Sequence, residues 1–195
     1  MKPEQLEKLL QRLSEAFHNS AKDTGTNTKN VLLPPSSDRD IVSFEKTNDV
    51  RFPESYRQFL RLHNGWKKFG NDYTFAGVSG PHTEQALREF RKLDKMFLQE
   101  WKAAGRSTDA EFIKKYQSNS GDGDTLEEAK LFLPSIVKFG SNFANGFFGF
   151  NTLRLDRNGE PEVLSVYFVT KILRRDRNFV AFLERTLEGY SARGY

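Results

Sequence analysis

The sequence predicts an α+β fold, an antiparallel sheet flanked by helices, and three observations carry that expectation. The first is a helical period at the start. Leu6, Leu9, Leu10, Leu13 and Phe17 follow the i, i+3, i+4, i+7, i+11 pattern, so a helix there places them on one face. The second is a strand-rich C-terminal third, with apolar segments at 135–139, 146–155 and 163–169. The third is Asp156-Arg157-Asn158-Gly159 between the last two, because Asn-Gly tolerates the positive φ of a hairpin turn. Strands grouped in a meander, rather than alternating with helices, indicate α+β and not a parallel α/β sheet.

The elements follow in order. The N-terminal helix takes 1–19. Residues 20–37, rich in Asn, Thr, Ser and Pro, read as a connection. A short second helix carries Ile41, Phe44, Glu45 and Asn48. A third opens at Pro53, whose missing N–H costs nothing in a first helical position. Glu54 follows, where the helix dipole favours an anion. Tyr56, Phe59, Leu60 and His63 form its inner face, and Asn64-Gly65 supplies a left-handed stop. His63 then stands at a helix C-terminus, where a cation is favoured. Residues 72–79 alternate and read as a strand.

A helical insertion is expected over about 83–130. Ala86, Phe90, Leu93, Phe97 and Trp101 make one stripe along it. That stripe must be covered, by the sheet or by a second copy of the chain in a homo-oligomer, because a bare patch invites association. Thr108-x-x-Glu111 is a capping box for a further short helix, which 118–124 break. Residues 178–190 close the chain as a helix with Phe179, Phe182, Leu183 and Leu187 inward. The whole, 1–195, reads as a single domain.

Composition excludes several functions. The 195 residues contain no Cys, which removes disulfides, Cys-ligated zinc and thiol chemistry. The 18 Phe are unusual and point to a ring-filled core or interface. The N-terminus is charged throughout and lacks the apolar stretch of a signal peptide. No run approaches the roughly 18 apolar residues of a spanning helix. A soluble, cytoplasmic protein that does not engage membrane is expected. The net charge is +4, from 30 Lys and Arg against 26 Asp and Glu, with both signs mixed. The densest basic group, Lys171, Arg174, Arg175 and Arg177 around Asp176, is expected to be a solvated loop.

Motifs for catalysis are weak. His18, His63 and His82 are isolated, without metal-ligand spacing. The Gly77-Val78-Ser79-Gly80-Pro81 segment lacks the order of a nucleophile elbow and reads as a strand-to-loop turn. Gly140, Gly146 and Gly149 lack the Lys-Ser/Thr of a phosphate loop. No catalytic residue, cofactor or metal is expected, and a binding protein is favoured over an enzyme. The Gly146-Phe147-Phe148-Gly149-Phe150 segment shares the aromatic spacing of RNA-recognition strands, but the basic residue that opens that motif is missing. Phe148 and Phe150 are therefore expected in the core.

Residues 41–65 resemble the N-terminal signature of the SUKH superfamily of Smi/Knr-like domains. The resemblance lies in Phe44-Glu45 ending a helix, Phe52-Pro53 opening the next, Tyr56 and Phe59-Leu60 along it, and Asn64-Gly65 after it. Downstream, Leu133-Pro134, a Gly-aromatic strand from Gly146 to Phe150, a hairpin and a closing Phe-rich helix follow in the family's order. Asn145 stands where the family more often has Asp, and 83–130 is the misfit. The resemblance implies a SUKH-like domain. Bacterial toxin-immunity proteins dominate that family, so it also implies a cytoplasmic immunity protein whose partner is a cognate toxin domain of a polymorphic toxin system. The alternatives are a nucleic-acid-binding module, motivated by a pI near 9.2 and the aromatic strand, and a regulatory scaffold of the same family without a toxin.

Two groups are candidates for the partner-binding surface. Trp66 beside Lys67-Lys68 and Tyr73 at a strand start read as exposed aromatic anchors. Asp122, Asp124, Glu127 and Glu128 form an acidic cluster that would steer and hold a basic partner face. The positive net charge argues against a strongly basic nuclease as that partner.

Overall fold

The computed structural model describes residues 1–25, 29–70, 72–103, 136–142, 146–167 and 172–194. Among them are α1 (Pro3–Asp23), β1 (Val31–Leu32), α2 (Asp38–Asn48), α3 (Glu54–Leu62), β2 (Trp66–Phe69), β3 (Tyr73–Phe75), α4 (Pro81–Ala103), β4 (Ile136–Ser141), β5 (Gly146–Leu155), β6 (Pro161–Tyr167), β7 (Ile172–Asp176) and α5 (Phe179–Ser191). The seven strands form one antiparallel sheet in the order of the sequence, β1 to β7. The α+β class and its meander are therefore as the strand grouping implied.

The hairpin at Asn158-Gly159 joins β5 to β6, though its loop is wider than two residues. Leu155 pairs with Pro161, and the Asp156 carboxylate gathers the turn by accepting from the N–H groups of Asn158 at 2.8 Å and Glu160 at 3.0 Å. Gly159 takes φ +77°, the conformation for which Gly is suited. Glu160 then reaches out of the loop to α3. Its carboxylate accepts from Ser55 N–H at 3.2 Å and from Ser55 Oγ at 2.5 Å. This matters because the cap residue of α3, Pro53, makes no side-chain cap bond of its own. One of the donors that a helix start leaves open is thus satisfied from the β5–β6 loop.

The helices α1, α3 and α5 cover one face of the sheet. Leu6, Leu10, Leu13 and Phe17 of α1 join Phe59 and Leu60 of α3 and Phe179, Phe182 and Leu183 of α5 in one cluster. Tyr56 stands at its centre. Its ring lies 5.1–5.3 Å from those of Phe52, Phe59, Phe139, Phe150 and Phe179, and its hydroxyl donates to the Ala76 carbonyl at 2.7 Å. Burial pushes that phenol well above its ordinary pKa. Phe148 and Phe150 are in this cluster, two residues apart and so on the same face of β5.

The opposite face is also buried, unlike that of an antiparallel sheet wet on one side. Ile136, Phe147, Leu164 and Val166 point there, together with Lys138, Glu162 and Arg175. Glu162 accepts from Arg175 Nη2 at 2.9 Å and Nε at 3.2 Å, and from Asn151 Nδ2 at 2.7 Å. Lys138 pairs with Asp94 of α4. The N-terminal half of the stripe on α4 is buried through Ala86, Phe90 and Leu93, while the side chains of Phe97 and Trp101 lie outside the described residues. The expected helix beginning at Thr108 lies outside them too.

Three strands were not legible as such, β1 falling inside the expected connection over 20–37. Of the basic group expected to be a solvated loop, Arg174, Arg175 and Asp176 lie in β7, where Arg175 and Asp176 are only 8% exposed. Arg174 and Arg177 are exposed, and Lys171 lies outside the described residues. Alternation turns Arg175 to the second face and Arg174 and Asp176 to the helix-bearing face. β2 follows Gly65 directly and was hidden by its two central lysines.

Candidate functional site

The residues of the sequence signature build the scaffold. Glu45, at the end of α2, is 8% exposed and turns toward the next helix. It accepts from Phe52 N–H at 2.8 Å and from Arg57 Nε and Nη2 at 2.9 and 2.5 Å. Asp49 closes α2 with φ +50°, which aims the chain back toward this clamp. Phe44 and Phe52 stack above it at 5.7 Å.

Asn64-Gly65 forms a second clamp. α3 ends one residue earlier than a left-handed glycine stop would end it, because its C-cap His63 is extended. Gly65 has φ +103°, and a Cβ there would meet the Phe75 carbonyl oxygen at 2.7 Å. Asn64 Oδ1 accepts from Val78 N–H at 2.7 Å, and its Nδ2 donates to Ser79 Oγ at 2.9 Å. A Cβ on Gly77 would lie 2.1 Å from that same Oδ1. The pair thus holds the loop after β3 against the end of α3.

Two of the three histidines, His63 and His82, belong to the same frame. His63 Nδ1 lies 3.1 Å from the Leu33 carbonyl and His82 Nε2 lies 2.9 Å from the Asn64 carbonyl. A carbonyl only accepts, so these nitrogens carry the protons. Burial holds both rings below the ordinary value of 6.5, the hydrogen bonds working against it. His63 is therefore neutral near pH 7, not the helix-end cation expected.

Trp66 is not on the surface. It is fully buried, 5.5 Å from the Phe17 ring and 5.1 Å from Phe69, and its Nε1 donates to Asn30 Oδ1 at 3.3 Å. Its exposure had been inferred from Lys67-Lys68. A register shift between Trp66 and Phe69, with Lys68 at φ +61°, turns both lysines outward and both rings inward. Tyr73 is half-buried, stacked on Phe148 at 4.4 Å. Asp122, Asp124, Glu127 and Glu128 lie outside the described residues.

Tyr73 has two companions, Tyr167, which the sequence did not single out, and Arg174, which it offered only as part of a solvated basic group. Tyr167, at the end of β6, is half-buried, and its ring meets that of Tyr73 edge-on at 6.4 Å. Arg174 of β7 is exposed, with its guanidinium carbon 5.8 Å from the Tyr167 centroid. Burial raises the Tyr167 phenol pKa, and Arg174 works the other way. These three share the helix-bearing face beside α5, with Phe148 and Phe182 beneath them at 5.0 Å from each other. The signal for this group lay in β7. Once its residues alternate, Arg174 parts from Arg175 and joins Tyr167. A separate cleft of about 300 Å³ opens between α2, α4 and β4, lined by Phe44, Val50, Leu87, Phe90, Ile136 and Lys138 among others.

An antiparallel meander, three helices on one of its faces and loop clamps made by Glu45 and Asn64 define an α+β domain of the Smi/Knr-like kind. The model of the SMI1 / KNR4 family (SUKH-1) matches residues 35–185, and the chain belongs to that family. No curated protein matches it. No helix among the described residues is long and apolar enough to cross a membrane.

Proposed function

We propose that the chain is a cytoplasmic immunity protein that neutralises a cognate toxin by binding it, without catalysis of its own. The observation that carries this reading is membership of the SMI1 / KNR4 family, in which such proteins predominate. The structure is compatible with it in one further respect. Glu45, Tyr56 and Asn64 are occupied in holding the scaffold, which leaves the binding specificity to surface residues. Tyr73 stays a candidate anchor, and the acidic residues Asp122, Asp124, Glu127 and Glu128 stay candidates for steering a basic partner surface.

The test is protection of cells that express candidate toxins drawn from the genes adjoining this one. Co-expression of the chain is expected to restore growth, and the purified pair to form a stoichiometric complex. A toxin that kills regardless, or the lack of any complex, would refute the immunity reading and leave the regulatory scaffold. The nucleic-acid reading keeps only the basic pI as its motive, because Phe147, Phe148 and Phe150 are all buried and offer no ring to a base.

A further inference from the structure

We propose that Arg174, Tyr167 and Tyr73 form a receptor for an acidic side chain of a partner protein, with Arg174 taking the carboxylate and the two rings seating the apolar residue next to it. The partner's identity as a toxin rests on the reading above; its chemistry rests on this site.

The charges around β7 single out Arg174. Its neighbour Arg175 is committed to Glu162 at 2.9 Å on the buried face. Asp176 is held by Arg185 at 3.2 Å. Arg174 is exposed, and among the described residues no carboxylate pairs with it. Its guanidinium lies over the face of Tyr167. A guanidinium laid on a ring keeps its planar fork directed and loses less freedom on binding than a free side chain does. The fork matches a carboxylate with two parallel hydrogen bonds.

The floor of the site is rigid and apolar. Tyr73 rests on Phe148, which rests on Phe182 of α5, so the rings are fixed before a partner arrives. Tyr and Arg on such a floor are the residue types that dominate binding energy at protein interfaces. A nucleic acid would share the anionic chemistry, but its phosphates recur along the strand and need a basic track. Here the track is broken. Asp72 is exposed next to Tyr73, and Asp156 lies near Arg177. One carboxylate avoids those charges where a polyanion would meet them. The net charge of +4 favours encounter with an acidic partner.

Two measurements on the full chain test this. In the first, the candidate toxin domain from the protection test is titrated by calorimetry against wild type, Arg174→Glu, Tyr167→Phe and Tyr167→Ala, with thermal melts to confirm folding. Arg174→Glu is expected to weaken binding at least about thirtyfold, and Tyr167→Phe to change it little because the ring remains. Wild-type affinity in folded Arg174→Glu and Tyr167→Ala overturns the inference and leaves the immunity reading intact. Absence of toxin binding by the wild type sinks the immunity reading instead, and the second measurement then decides the site alone. There, the Arg174 Nε–H and Tyr167 ring resonances are followed during addition of an alternating Glu-Phe peptide, a Lys-Phe peptide and single-stranded DNA. Shifts with the Glu-Phe peptide only are expected. No shift with it, or tighter binding of DNA with a steep salt dependence, overturns the proposal.

Discussion

Replacing Glu45 with Ala should destabilise this protein nearly as much as a core truncation, although the residue is charged and belongs to the scaffold rather than to a binding surface. The carboxylate accepts three hydrogen bonds, one from Phe52 N–H and two from Arg57. Hydrogen bonds to a charged group contribute about 1.5–3 kcal/mol each, and removing one member of a buried pair costs about 3–5 kcal/mol. The pair is not fully dry: Glu45 is 8% exposed but Arg57 is 24% exposed. Arg57 can therefore swing into water when its partner is gone, which removes much of the orphaned-charge penalty. Phe52 N–H has less freedom to do so, because Phe52 is only 6% exposed. A loss of about 3 kcal/mol is expected on balance. Urea unfolding followed by the fluorescence of buried Trp66 would measure it. A double-mutant cycle with Arg57→Met should return a coupling of about 1–2 kcal/mol, leaving the Phe52 bond as the remainder. A Glu45→Ala loss below about 1 kcal/mol, or a coupling near zero, would refute the clamp and with it the structural reading of Phe44-Glu45.

Phe59→Ala should cost about 3–5 kcal/mol in the same assay, and a loss under about 1 kcal/mol would contradict its burial. Trp66→Ala should likewise cost about 3–5 kcal/mol and weaken protection by depleting folded protein, whereas Trp66→Phe should protect fully once its level is matched; a folded Trp66→Phe that no longer binds toxin would reinstate Trp66 as a contact. Gly77→Ala should cost about 1–3 kcal/mol, because the new Cβ displaces the Asn64 side chain, and a neutral result would mean the loop shifts freely. His63 and His82 have depressed pKa values in the fold, so the unfolded chain takes up their protons first and stability falls as pH drops below about 6.5. His82→Gln should flatten part of that slope in urea midpoints measured between about pH 7.5 and 5, and an unchanged slope would clear His82 of the effect.

Elements with strong periodicity or punctuation were legible in the sequence. The face of α1, the Tyr56 and Phe59 face of α3, the closing α5 and the hairpin at Asn158-Gly159 all follow from local rules that the tertiary structure reinforces. The misreadings share one cause. Charged residues in β2 and β7 indicate solvent when read along the chain, yet in β2 a register shift exposes Lys67 and Lys68 while burying the rings on either side. In β7 the buried Arg175 has a partner, Glu162, that lies on another strand. Pairing across a sheet is invisible to a reading along the chain. For the same reason the sequence offers Tyr73 as an anchor, omits Tyr167 and gives Arg174 only as part of a solvated basic group, since the three are brought together by sheet order alone.

The bond from Glu160 to the start of α3 spans 105 residues of chain. Nine residues are too few for a helix to persist alone in water, and this one begins without a side-chain cap of its own. As the chain leaves a ribosome, α3 must therefore wait for the β5–β6 loop before its first turn is secured. The family signature lies early in the sequence, but its helix becomes stable late in synthesis. A nascent chain cut short of that loop would expose the Tyr56 and Phe59 face to chaperones and proteases.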